Sequence, residues 1–159
     1  MHRTLALTAI VAVALAVPAY AQKKDFSGTW SIDQAATDAA NTPARSAGGR
    51  LVSSPTGFPM TIKQTADSLV IERRGGDGGA TNTTTYKLDG VEREVRIGQG
   101  NAKAKARWDG DKIVIETVRA GQDGTPVTTI ATYAIDLNGV LWVETKAPQG
   151  TSKRAYKRS

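Results

Sequence analysis

What chemistry this chain can do is set first by the residue types it lacks. There is no cysteine, and the single histidine is His2, at the very start. Zinc sites, Cys or His nucleophile–base pairs and imidazole proton transfer are therefore not expected of the rest of the chain. Catalysis would have to use carboxylates, Lys, Tyr, Ser or Thr. Asp109 and Asp111 flank Gly110, and a carboxylate pair is what glycoside hydrolysis requires. In a tight Asp-Gly turn such acids more readily shape and solvate a hairpin, and a calcium site would need further oxygen ligands. Gly75-Gly76-Asp77-Gly78-Gly79 has the composition of a phosphate cradle, but neither a Lys-Ser/Thr pair nor a helix follows it. The expectation is a protein that is not an enzyme, with no metal and no cofactor.

Arg93 is the charged residue best placed for binding. Val91 to Ile97 and Ala102 to Trp108 read as two strands around Gly98-Gln99-Gly100-Asn101. Pairing Ile97 with Ala102 sets Glu94 opposite Lys105 and Glu92 opposite Arg107, pairs worth about 0.2–1 kcal/mol each. The other face carries Val91, Val95, Ile97, Ala102, Ala104, Ala106 and Trp108, and Arg93 falls among them, opposite Ala106. A guanidinium beside a small side chain suits bidentate recognition of a carboxylate or phosphate. The structural alternatives are an arginine that snorkels to water or a bulge that turns it outward.

The elements that must position these residues are strands. Trp30 lies on a first strand that ends near Asp33, which caps a short helix from Gln34 to about Ala40. Asn41 to Pro59 has no apolar periodicity and reads as a long loop over a cavity mouth or a floppy insertion. Strands follow at Met60–Gln64, Leu69–Arg73 and Thr81–Leu88, then the two around Arg93. Asp109-Gly110 makes a two-residue turn into Lys112–Arg119, setting Ile113 opposite Ala106 and Ile115 opposite Ala104. The three strands share one apolar and one charged face, the alternation of an antiparallel sheet with one wet side. Val127–Leu137 and Val140–Thr145 flank Asn138-Gly139, a type I′ hairpin signal that brings Tyr133 opposite Glu144. Both faces of that pair are mixed, so its inner side is not assigned. Lys153–Lys157 closes the series. The fold class expected is all-β: an antiparallel up-and-down barrel or half-barrel of about 8–10 strands, with a short helix or long loop after the first.

Residues 1–21 have the form of a secretory signal: His2 and Arg3, a largely apolar run from Leu5 to Val17, then Ala19-Tyr20-Ala21 for cleavage before Gln22. That run is shorter than the roughly 18–20 residues a spanning helix needs. Residues 22–159 would then form one domain, with 34–58 as a lid-like insertion, exported to a periplasmic or extracellular space and monomeric. The net charge of +6 suits either solubility or attraction to anionic partners.

Phe26-x-Gly28-x-Trp30 and the closing Arg154-Ala155-Tyr156 resemble the calycin superfamily of lipocalins and fatty-acid-binding proteins. The resemblance implies that Phe26, Gly28 and Trp30 close the barrel, with Arg154 or Lys153 packed over the tryptophan. It also implies that Arg154 and Tyr156 hold a ligand carboxylate, and that 34–58 corresponds to a helical lid. Asp25 to Trp30, Tyr86 to Gly90 and Arg107 to Asp111 further resemble a widespread group of small exported bacterial proteins that has no settled activity.

The function expected is the binding of a small apolar or amphipathic ligand, with or without an anionic group, in a barrel cavity, and the inward alanines 102, 104 and 106 leave room for one. The alternative is an envelope protein with a solidly packed barrel. Its basic surface, Lys103, Lys105, Arg107 and Lys153, Arg154, Lys157, Arg158, would bind an anionic polymer or a protein. Nucleic acid is not expected as a partner.

Overall fold

A computed structural model of the chain describes residues 23–41, 57–75 and 79–159. The signal segment, most of the long loop and the centre of the glycine run lie outside the described residues. Ten strands alternate inward and outward side chains in one antiparallel sheet. They are β1 (Gly28–Ile32), β2 (Met60–Gln64), β3 (Ser68–Arg74), β4 (Thr81–Lys87), β5 (Arg93–Ile97), β6 (Gly100–Asp109), β7 (Lys112–Ala120), β8 (Pro126–Ile135), β9 (Leu141–Ala147) and β10 (Gly150–Arg158). Their order is β4-β3-β2-β1-β10-β9-β8-β7-β6-β5. The sheet curls into a nearly closed barrel with its seam between β4 and β5, where the Thr84 hydroxyl donates to the Arg96 carbonyl at 2.9 Å.

The one helix, α1 (Gln34–Ala40), begins where expected, with the Asp33 carboxylate accepting the Ala36 N–H. Its neighbour is β10. Because β1 pairs with β10 only from Trp30↔Arg158 to Ile32↔Tyr156, the rest of that edge needs other partners. The chain around α1 supplies them. Asp33 donates its N–H to the Ala155 carbonyl, the buried Thr37 hydroxyl accepts from the Ala155 N–H, and the Asn41 amide bonds both the N–H and the carbonyl of Lys153.

Three registers differ from expectation. Ile97 pairs with Gly100 and Arg93 with Ala104, so Gly98-Gln99 is a two-residue turn with Gly98 at φ +63°. Asp109 pairs with Lys112, which moves the turn to Gly110-Asp111 and sets Ile113 opposite Trp108 and Ile115 opposite Ala106. Both are slips of two residues, which preserve the faces because side chains alternate with period two. Glu94 therefore stands opposite Lys103, while Glu92 reaches Lys103 and Lys105 reaches Glu116. The third slip is odd. Ile135 pairs with Leu141 across a loop containing Asp136, whose carboxylate accepts from the Asn138 and Val140 N–H groups and the Trp142 indole. Tyr133 consequently faces Val143, Thr132 faces Glu144, and the Tyr133–Glu144 pair does not form.

The core fills one end of the barrel. Phe26, Trp30, Ile62, Leu69, Ile71, Ile113 and Leu141 are essentially buried. The Trp30 indole donates to the Phe26 carbonyl at 3.0 Å, and the Phe26 N–H donates to Gln64. The basic residue over Trp30 is Arg158, not Arg154 or Lys153: its guanidinium lies 4.7 Å from the ring centroid and donates to the Ser27 carbonyl. Register decides this, because Trp30 is opposite Arg158. Lys153 instead lies 4.5 Å from the Trp142 ring.

A cationic cluster in the barrel lumen

The registers assign every strand residue to the lumen or to the outside. Those sharing a face with Trp30, Ile71, Tyr133 and Tyr156 include five arginines: Arg73, Arg93, Arg119, Arg154 and Arg158. Among the described strand residues, none of these inward positions carries Asp or Glu. The carboxylates Glu72, Glu94, Glu116 and Glu144 all alternate to the outer face. Of the five arginines, Arg93, Arg119 and Arg158 are exposed and Arg93 is paired with Asp89, while Arg73 and Arg154 are half-buried. Positive charge on an inner face that carries no carboxylate at its described strand positions favours anions, since low-dielectric walls strengthen the field of each cation.

Three of the arginines share one region with three tyrosines. Arg73, at the end of β3, donates to the Tyr133 hydroxyl on β8 at 2.9 Å. In strand order β3 and β8 are five places apart, so this bond spans the barrel from wall to wall. Tyr133, Tyr86 and Tyr156 are all buried. The proximity of the Tyr133 phenol raises the Arg73 pKa above its ordinary value, against the opposing effect of burial. Burial pushes the Tyr86 phenol up to about 12, with Tyr133 adding to the shift and Arg73 and Arg119 opposing it. The Tyr156 pKa is likewise raised by burial and drawn back by Arg154 and Arg73. Tyr86 and Tyr156 thus keep their hydroxyl protons beside a charged Arg73. Charge and hydrogen-bond donors side by side are what recognition of an anion requires.

Arg154 and Tyr156 lie two apart on β10 and both face this cluster, with Arg154 opposite Val143 and Tyr156 opposite Leu141. The chain returns over them at Gly57. A Cβ there would stand 2.6 Å from Ile32 Cδ1, 3.0 Å from the Tyr156 hydroxyl and 3.4 Å from Arg154 Cδ, so only glycine passes so closely. The resemblance located these two residues; alternation alone could have located Arg73, which extends the series Leu69, Ile71, Arg73 on β3. Tyr86 and Tyr133 were not picked out as lumenal residues, because assigning them needs the true registers.

Arg93 is placed differently. It keeps inward parity opposite Ala104, but its guanidinium is exposed and makes a two-point bond to Asp89, at 2.7 and 2.8 Å. That bond holds the Asp89 carboxyl down at about 2. Arg93 also borders a groove of about 630 Å³ with Glu92, Glu94, Lys103 and Val118. Glu92 and Lys103 pair with each other there, so the groove does not share the charge imbalance of the lumen. The basic residues considered for polymer binding are mostly engaged already: Lys105 with Glu116, Lys157 with Asp33, Lys153 with Trp142 and Arg158 with Trp30.

This architecture has known counterparts. A secretory abundant heat soluble (SAHS) protein from Ramazzottius varieornatus superposes with a TM-score of 0.58 at 20% identity, covering 88% of this chain and 99% of its own. A mutant of the fluorescent protein UnaG gives 0.58 at 22% identity, covering 84% and 96%. A protein titled a fatty acid transporter gives 0.56 at 17%, covering 84% and 95%. The chain shares the antiparallel β-barrel fold of these proteins. No protein-family model matches it, and no curated protein sequence does. At these identities the three similar structures speak to the fold alone. No helix among the described residues is long and apolar enough to cross a membrane.

Proposed function

We propose that this chain is an exported, monomeric, non-enzymatic barrel that binds a small amphipathic anion in its lumen. The acidic group would sit on Arg154 and Tyr156, with Arg73 as the second cation. The observation that carries the reading is the lumen itself, with inward arginines and no carboxylate on any described inward strand position. The neighbour titled a fatty acid transporter supports it by analogy of fold. Residues 1–21 support export to the periplasm or beyond, which predicts a mature N-terminus at Gln22 by intact-mass analysis of protein from the cell envelope.

The binding test is calorimetric titration of the purified protein with a panel of small carboxylates. Hydrogen bonds to charged groups contribute about 1.5–3 kcal/mol. Arg154→Gln and Arg73→Gln are therefore each expected to weaken binding at least about tenfold, with the fold intact by circular dichroism. Arg93→Gln is the comparison: with its guanidinium on Asp89 it is expected to leave affinity within twofold. If Arg93→Gln abolishes binding while Arg154→Gln does not, the anion sits on Arg93 and the lumenal site is rejected.

A further inference from the structure

Resting on the anionic part of the reading above and replacing its amphipathic part, we propose that the ligand is a compact, hydrogen-bond-rich anion, such as a polyhydroxylated carboxylate, and not a long-chain amphiphile. Two observations lead there, one about depth and one about lining.

Depth is set by the Arg73–Tyr133 bond. It joins opposite walls, and from that level to the tryptophan end the interior is occupied by Ile62, Ile71, Ile113, Leu141 and Trp30, all at 1% exposure or less. Interiors packed in this way have no room for an extra chain without displacing side chains. An acid held at Arg154 and Tyr156 cannot send a hydrocarbon tail past this strut. The rest of the ligand must lie on the other side, toward Gly57.

The lining on that side carries polar groups. Thr117 of β7 stands opposite Thr129 of β8, and Thr145 of β9 opposite Ser152 of β10, so four successive strands present inward hydroxyls. Asn82, exposed near the start of β4, has inward parity opposite Arg73 on the far wall. Arg119, opposite Val127, is exposed at the end of β7 and borders the groove beside Arg93. Among the described inward positions, the apolar side chains on this side include Ile32, Val95, Ile97, Ala102, Val127 and Ala147. A hydrocarbon tail would desolvate hydroxyl and amide groups without replacing their hydrogen bonds, which is unfavourable. A ligand that itself carries hydroxyls meets donors and acceptors on four strands.

The test is calorimetry of the full mature chain with D-glucuronate and with straight-chain carboxylates from octanoate to hexadecanoate. The expected result is saturable binding of glucuronate, weakened at least threefold by Thr145→Val and by Ser152→Ala in correctly folded protein. The straight-chain series should show no gain with length. Burial of each added CH2 would raise affinity about fourfold, so a steady climb along the series would overturn this inference and leave the parent reading standing. Glucuronate binding that is indifferent to both hydroxyl deletions would overturn it as well. Binding of none of these carboxylates would count against the lumenal-anion reading itself.

Discussion

At Gly28 the backbone takes φ +139°, a conformation L side chains rarely adopt, and a Cβ there would lie 2.9 Å from the Arg158 guanidinium. The spacing Phe26-x-Gly28-x-Trp30 thus encodes three linked jobs: a carbonyl for the indole, a gap for Arg158, and the ring that Arg158 covers. Gly28→Ala is expected to cost about 1–3 kcal/mol through backbone strain, with displacement of Arg158 in addition. A denaturation midpoint unchanged from the parent would refute this. A second residue-scale expectation concerns Tyr86. Its folded pKa of about 12 lies above the ordinary value of 10.0 because burial penalises the phenolate. The folded state therefore keeps a proton that the unfolded chain releases first, and stability falls as pH rises from about 10 to about 12. Tyr86→Phe should flatten that part of the stability–pH curve. A curve equally steep in the variant would assign the alkaline loss to other groups.

Among the elements, α1 matters for what it does to β10. Thr37 and Asn41 stand where a longer β1 would have stood, satisfying the backbone of Ala155 and Lys153 from side chains. Thr37→Val removes the hydroxyl and strands a buried N–H, at a cost of about 1–3 kcal/mol. Amide exchange at Ala155 should accelerate, and protection equal to the parent's would show that another group takes over. The helix, its cap and the ten strands were legible in the sequence because capping and two-residue alternation are local signals. The registers were less so, and the errors have a physical pattern. Slips of two at Gly98-Gln99 and Gly110-Asp111 left every face correct, since alternation cannot distinguish them. The slip of one at Asn138-Gly139 came from reading Asn-Gly as a two-residue turn, whereas Asp136 organises a longer loop with its carboxylate. That single residue decides whether Tyr133 meets Glu144 or enters the lumen, so the part of the site on β8 was hidden. Arg154 and Tyr156 were visible only through resemblance, and which basic residue covers Trp30 depended on a pairing between chain ends that no local pattern encodes.

Across the whole molecule, the barrel is divided into an apolar end held by Trp30 and a polar end lined by hydroxyls and guanidinium groups, and it is sewn unevenly around its circumference. Every neighbouring pair of strands shares a hydrogen-bonded ladder except β4 and β5. There a slot of about 60 Å³ opens between Tyr86 on one strand and Val95 on the other, bordered by Ala104 and Ala106. The Thr84–Arg96 bond lies on that seam. Unpaired strand edges invite association with other chains, and here Lys87, Arg93 and Arg96 lie on or beside the two edges. The seam is the place where the fold should open first, because exchange protection follows hydrogen bonding and buried contact. Native-state amide exchange is therefore expected to be fastest along β4 and β5 and slowest along β7 and β8, which are laddered on both sides. Thr84→Val, which keeps the shape and deletes the bond, should cost about 1 kcal/mol and raise exchange in β4 and β5 selectively. A uniform rise over all ten strands would mean that the barrel opens only by global unfolding. A ligand bound in the lumen beside Tyr86 should slow the same amides, which makes the seam a reporter of occupancy as well as the weak line of the wall.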